Sequence, residues 1–442
     1  MNRSLQSLCL YVCLIGIPCV AETNHSLGLT QLPSSNRATI VQVLSKAQLL
    51  ASDGVTNNEF GTSVAVSSSG KTIVVGAAAE NAYSGAVYVF VEPVSGWSNA
   101  TQTTKLTVPG GQTGAEFGQA VAISSNGSLV AVAAPEANST GAVYLFSPTG
   151  GNWSNGGTLV AALSPSDGIV GDYLGSSLAI SSNGQTVVAG AVNVSITDQD
   201  QGAVYVFTEP AGGWKNETEA ARLTASDPVN NQNLGNSVSI SGSTVAAGAW
   251  DYALGSGGNG AVYVYTKPAA GWSDMTQTAK LTASDGKALD TLGTSVSISG
   301  STIAAGAPGH KVGSNADQGA VYVFVEPAGG WVNAVQNAEL TSSNGIADSV
   351  LGSSVAMSAS IIVTGAYCQK VGSNACQGEL YGYLKPAGGW VNGTEAYDLT
   401  AKGGAAGDEL GWSASLTSTG PIGIGSSLGY KSYTGAVYVF EK

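Results

Sequence analysis

Charge is scarce in this chain: Asp, Glu, Lys and Arg make up only 10% of its 442 residues, and the formal net charge is −13. Few Glu, Lys and Arg means few of the residues that favour long helices. The acidic balance excludes nucleic acid and anionic lipid surfaces as natural partners, because both repel such a body. Histidine is scarcer still, with only His25 and His310. His25 falls in an N-terminal linker. That leaves one histidine in the folded part, which excludes a His-rich metal centre. No G-x-S-x-G elbow stands near His310 to suggest a Ser-His-Asp nucleophile, so His310 reads as a solvated loop residue.

Long apolar runs are also missing, apart from Leu8 to Ile17 in "MNRSLQSLCLYVCLIGIPCVAET". With Arg3 ahead and a small-residue cut after Ala21, residues 1–21 are expected to be a secretory signal peptide, too short for a spanning helix. "GIPC" does not resemble a lipoprotein box, so a free, non-inserted product is expected, extracellular or periplasmic if the source is bacterial. Removing residues 1–21 loses Arg3 and no acid, taking the charge from −13 to −14. It also loses Cys9, Cys13 and Cys19, leaving Cys368 and Cys376 as the whole thiol inventory in an oxidising compartment.

What is abundant is glycine, 61 residues, with Ser, Thr, Ala and Val. These residues are distributed periodically. "GAVYVF" begins at Gly85, Gly202, Gly319 and Gly435, with "GAVYLF" at Gly141, "GAVYVY" at Gly260 and a divergent "GELYGY" at Gly378. Ahead of each stands an aromatic or Leu followed by Gly: Phe60-Gly61, Phe117-Gly118, Leu174-Gly175, Leu234-Gly235, Leu292-Gly293, Leu351-Gly352 and Leu410-Gly411, 57 to 60 residues apart. Between them lies a third mark, "VVGAA" at Val74, "AAGAP" at Ala304 and their equivalents. A period of this size identifies a repeat architecture.

Each unit offers four strand segments: a "KLTAS" type, "FGTSVAVS", "KTIVVGA" and "GAVYVF". "SSNG" at Ser124 and Ser181 is a tight hairpin signal between the second and third. The fold expected is all-β: a seven-bladed propeller of four-stranded antiparallel blades over residues 45–442, with residues 22–44 as linker. An extra "KLTASD"-type segment, "AQLLASD" at Ala47–Asp53, precedes the first unit, and none follows the last. Lys46–Ala51 is therefore expected to supply the outer strand of blade 7 and close the ring. Evenly placed Trp97, Trp153, Trp214, Trp272, Trp331 and Trp390 read as packing anchors rather than a sugar platform.

The ordered marks resemble the FG-GAP repeat of integrin α-subunit propellers and of secreted microbial FG-GAP proteins, over about residues 45–442. That resemblance implies a non-catalytic module binding proteins or matrix. It also implies Ca²⁺ in the turn between the first two strands of a blade, held by an Asp-rich loop. Here those turns read "SSSG" (Ser67), "SSNG" (Ser124, Ser181), "SISGS" (Ser239, Ser297), "MSASI" (Met357) and "TSTGP" (Thr417), with no carboxylate. No metal or other cofactor is therefore expected.

Two sets of carboxylates recur. Asp53, Asp167, Asp227 and Asp285 follow "AS" or "PS" at a strand exit, where Asx-turn chemistry explains them. Glu59, Glu116, Asp172, Asp290, Asp348, Asp408 and Glu409 precede the Phe/Leu-Gly marks and read as solvated loop charges, with a ring of acids at one channel mouth as the alternative. The loops between the third mark and "GAVYVF" vary where all else repeats, so they are the expected binding face. They supply the candidate ligand-binding residues Trp250, Asp251, Tyr252, His310, Lys311, Tyr367, Lys370, Tyr430, Lys431 and Tyr433.

Within that set, "CQKVGSNAC" (Cys368–Cys376) matches "GHKVGSNAD" (Gly309–Asp317) except at its ends and His310/Gln369. Paired cysteines at the two ends of a hairpin loop predict a disulfide. The function expected is a secreted, non-enzymatic, monomeric adhesion or binding module for an extracellular protein or cell-surface ligand. A lectin or cell-wall glycan binder is one alternative. The other is a polysaccharide lyase or hydrolase using Asp290 or Asp408. Sequons such as Asn99-Ala-Thr, Asn216-Glu-Thr and Asn392-Gly-Thr arise easily in a Ser/Thr-rich chain.

Overall fold

The computed structural model describes residues 40–250, 258–420 and 422–441. Seven sheets form seven blades. Blade 1 comprises Phe60–Val66, Thr72–Ala77, Ala86–Val91 and Thr104–Thr107, hydrogen-bonded in that order and all antiparallel. The other blades repeat this order, so the expected propeller is the observed fold.

Apolar residues occupy both faces of the "VYVF" strands because the core lies between blades. Val74, Val87 and Val89 of blade 1 pack on Val130, Val132, Tyr144 and Phe146 of blade 2. Six further clusters of the same kind fill the remaining blade interfaces. Blade 7 and blade 1 meet through Ile424, Val437 and Val439 against Phe60, Tyr88 and Phe90, with Phe60 and Tyr88 edge to face at 5.3 Å.

The Phe/Leu-Gly and Gly-Ala marks depend on one another. Gly118 has φ +99°, and a Cβ on Gly76 of blade 1 would lie 1.9 Å from the Gly118 carbonyl oxygen. Two backbones touch there with no room for a side chain, so both positions are glycine. Ser63 on the adjacent inner strand donates to that same carbonyl at 2.8 Å. Ser177, Ser237, Ser295 and Ser354 make the equivalent bonds to Gly235, Gly293, Gly352 and Gly411 at 2.6–2.8 Å.

The ring closes through the N-terminal segment, as expected: Ala47–Leu50 pairs antiparallel with Ala436–Glu441 of blade 7. The strand Val41–Leu44 is a further finding, because it lies in the stretch read as linker. It pairs in parallel with Tyr397–Thr400, so the same N-terminal segment completes blades 6 and 7. In blades 3, 4, 5 and 7 that fifth, parallel position is filled by a short strand of the following blade, such as Met275–Thr276 on Ala221–Thr224, whereas the sheets of blades 1 and 2 have four strands.

The tryptophan loops make this strap. Trp97, Trp153 and Trp214 donate their indole N–H to the carbonyls of Gly70, Gly127 and Gly184. Two residues after Trp97, Trp214 and Trp390, Asn99, Asn216 and Asn392 accept the backbone N–H of Gln48, Ala162 and Glu339 through Oδ1. These asparagines, read from sequence only as sequons, tie each blade to the one before.

Candidate functional site

Strand direction places the variable loops and the lead-in segments before each Phe/Leu-Gly at one end of the ring, and the hairpin turns and tryptophan loops at the other. The loop end is cross-linked through its backbone. Glu116 N–H donates to Tyr83 O, Val350 to Asp317 O, Glu409 to Cys376 O and Glu59 to Tyr433 O, at 2.8–3.1 Å. Each variable loop is thus fastened to the next blade. In blades 1 and 7 the loop is a single left-handed turn, Asn81-Ala82-Tyr83 and Lys431-Ser432-Tyr433, all at positive φ. That handedness costs L-residues about 1–2 kcal/mol each, and both turns end on an exposed tyrosine, Tyr83 and Tyr433.

A cavity of about 850 Å³ opens along the central channel at this end. The residue after each mark glycine lines it: Thr62, Gln119, Ser176, Asn236, Thr294, Ser353 and Trp412. Six are polar. The seventh, Trp412, is 38% exposed and stands 5.1 Å from the Tyr367 ring at the mouth, where Asp317 and Asp348 also face the cavity. Burial, with Glu409 nearby, pushes the Tyr367 hydroxyl up from its usual pKa. Sequence reasoning passed over Trp412 and Tyr83. The signal for Trp412 was present, since it is the one aromatic at a position otherwise held by Thr, Gln, Ser or Asn.

The other candidates are scattered around the ring. Trp250 is exposed on blade 4, while Asp251 and Tyr252 lie outside the described residues. Lys311 and Lys370 are exposed on the twin loops of blades 5 and 6. Tyr430 is half-buried beneath Lys431, whose Nζ sits 5.2 Å from its ring. Cys368 and Cys376 form the expected disulfide. Its loop shares its backbone bonds with the unbridged twin, Val371 with Asn374 and Val312 with Asn315.

Three expectations about charged residues are corrected. His310 is not solvated: it is 5% exposed, with Nδ1 2.9 Å from Asp290 Oδ2. That hydrogen bond, with Glu339 and Asp285 beside the ring, pushes the imidazole up to about 9 against the opposing effect of burial. Asp172, Asp290 and Asp408 are buried, neither solvated loop charges as expected nor, as in the alternative, a ring at the mouth. Their carboxylates accept the N–H of Ile169, Lys287 and Ala405, which removes Asp290 and Asp408 as exposed general acids or bases. Asp53, Asp167, Asp227 and Asp285 each accept a hydroxyl from the next blade, Tyr88, Tyr205, Tyr263 and Tyr322, at 2.8–3.0 Å. They link blades rather than only turning the chain.

One group among the described residues has the spacing to hold a metal ion, Asp285, His310 and Glu339, and it lies away from the hairpin turns. Sequence comparison matches FG-GAP repeats at residues 44–90, 100–146, 158–207, 218–265 and 275–324, more than half of the chain. The chain belongs to the FG-GAP repeat family. No curated protein matches it. The matched repeats of this FG-GAP propeller stop short of blades 6 and 7, which carry Glu379, Gly382 and Trp412, departures from the pattern of the other five. No helix among the described residues is long and apolar enough to cross a membrane.

Proposed function

We infer that this FG-GAP propeller is a secreted, monomeric, non-enzymatic binding module that engages an extracellular protein or cell-surface ligand through its loop end. One observation carries the reading. That end exposes Val55, Tyr83, Ile169, Val170, Ile196, Trp250, Leu289, Ile346 and Tyr433 around a polar channel with Trp412 at its mouth. The other exposed large apolar residues, among them Val94 and Val332, lie away from this end, and apolar side chains on a rigid face beside such a channel suit a partner surface. The backbone bonds between loops keep the ordering cost of binding small.

A second reading has its own support. The tilted Tyr367–Trp412 pair beside Ser and Thr hydroxyls offers a sugar both a stacking face and hydrogen-bond partners. The deciding experiment screens the immobilised full chain against arrays of extracellular proteins and of glycans. Trp412→Ala should weaken a glycan most, whereas Ile346→Ser and Trp250→Ala should weaken a protein partner. A binder insensitive to all three, yet lost on Val94→Asp at the opposite end, would place the site elsewhere and sink the inference.

A further inference from the structure

Blades 1, 3 and 4 share a charge arrangement at the loop end. A buried tyrosine of the third strand stands opposite a basic residue of the outer strand: Tyr88 and Lys105, Tyr205 and Arg222, Tyr263 and Lys280. The aspartate that accepts the tyrosine hydroxyl also pairs with that base. Lys105 Nζ lies 2.6 Å from Asp53 and Lys280 Nζ 2.7 Å from Asp227, with Arg222 paired to Asp167.

Blade 5 keeps the tyrosine and the aspartate, Tyr322 and Asp285, but places Glu339 opposite Tyr322. A carboxylate stands where three other blades carry the cation. Facing it is His310, whose Nε2 is 3.6 Å from Glu339 Oε1 and 3.8 Å from Asp285 Oδ2, both beyond hydrogen-bond reach. The three ligand atoms lie within 4.8 Å of one another. Ligands at about 2.0–2.1 Å around a tetrahedral ion stand roughly 3.3–3.4 Å apart, so His310 needs to approach each carboxylate by only a few tenths of an ångström, while the two exposed carboxylates close on one another by at most about 1.4 Å.

The remaining features are those of a built site. Nδ1 of His310 is held by Asp290, itself buried, in the carboxylate–histidine arrangement that orients a metal-binding imidazole. Glu339 and Asp285 are 22% and 44% exposed, leaving an approach from solvent and room for a water as fourth ligand. An imidazole nitrogen beside two carboxylates suits a borderline transition ion better than Ca²⁺ or Mg²⁺, which take oxygen ligands.

We propose that Asp285, His310 and Glu339 bind a divalent transition-metal ion of the Zn²⁺ class, with Asp290 as the positioning residue. Binding displaces the proton that His310 Nε2 otherwise holds toward Asp285 and Glu339, and the ion then stands where blades 1, 3 and 4 carry a basic side chain. It joins the exit loop of blade 4 to the variable loop and outer strand of blade 5, and so fixes Pro308 and Gly309 at the channel mouth. Blade 6 shows the arrangement dismantled, with Gln369 in place of His310, Asn344 of Asp285 and Asp398 of Glu339.

The full chain, stripped with chelator and exchanged into metal-free buffer, is titrated with Zn²⁺ by calorimetry and with Co²⁺ by visible absorption. One ion per chain and the d–d bands of tetrahedral Co²⁺ are expected. His310→Gln and Glu339→Lys should each weaken binding more than about tenfold, and Asp290→Asn by about 10–100-fold. Glu339→Lys recreates the Asp227–Lys280 pair, so a retained melting transition would show that the loss is not unfolding. Absence of stoichiometric Zn²⁺ uptake overturns the proposal. So does uptake that survives both His310→Gln and Glu339→Lys, which would mean adventitious binding to surface carboxylates.

Discussion

Leu49 stands in register with Val437, near the opposite end of the chain, and its side chain is completely buried between blades 7 and 1. The ring is therefore closed by a handful of backbone bonds and by the burial of Ala47 and Leu49, with no covalent link. Leu49→Ala should cost about 2–5 kcal/mol in denaturant unfolding, the usual range for a buried Leu. Loss of the exposed Lys46–Glu441 ion pair should cost under about 1 kcal/mol. Equal effects from the two changes would mean that the closure is not set by apolar burial.

The paired glycines make a second prediction. Gly76→Ala places a methyl against the Gly118 carbonyl, a rigid backbone atom that cannot turn aside. Overpacking there should destabilise by at least about 1–3 kcal/mol. Gly329→Ala, with open space around it and no positive φ, should be close to neutral. Thermal melts of the two variants separate a steric requirement from a general cost of losing glycine.

Blade 6 buries carboxylates without a base. Burial, reinforced by Asp398, pushes Glu379 up to about 7, and burial with Glu395 nearby pushes Asp398 up to about 6. Both folded-state values lie above the unfolded ones, so the folded chain holds extra protons between roughly pH 4 and 7. Stability contributed by these groups is present below that window and lost as pH rises through it. Glu379→Gln should flatten the dependence, gaining on the order of 3 kcal/mol relative to wild type between pH 5 and 8. Parallel stability–pH curves for the two proteins would refute this.

The disulfide should matter modestly. The Gly309–Asp317 loop holds the same hydrogen-bonded backbone without a bridge, so Cys368→Ser is expected to leave the loop in place. The loss should not exceed about 2–3 kcal/mol, the loop-entropy value for so short a ring. Denaturant melts with and without reductant measure it, and a larger loss would show that the bridge holds blade 6 together.

The sequence by itself determined the repeat, the blade count, the strand order and the ring closure. Those follow from local chemistry: strand periodicity, turn residues, and glycines whose spacing recurs seven times. The disulfide was legible for the same reason, since its ends are the ends of one hairpin. Only the tertiary structure decided the fate of the charged residues. His310, Asp285, Asp290 and Glu339 are separated along the chain, and their meeting depends on how an exit loop, a variable loop and an outer strand converge between blades 4 and 5. Trp412 likewise became a channel residue only once seven inner strands were set around an axis. Burial and pairing of a polar side chain are properties of the assembled surfaces, and no pattern within a single repeat encodes them.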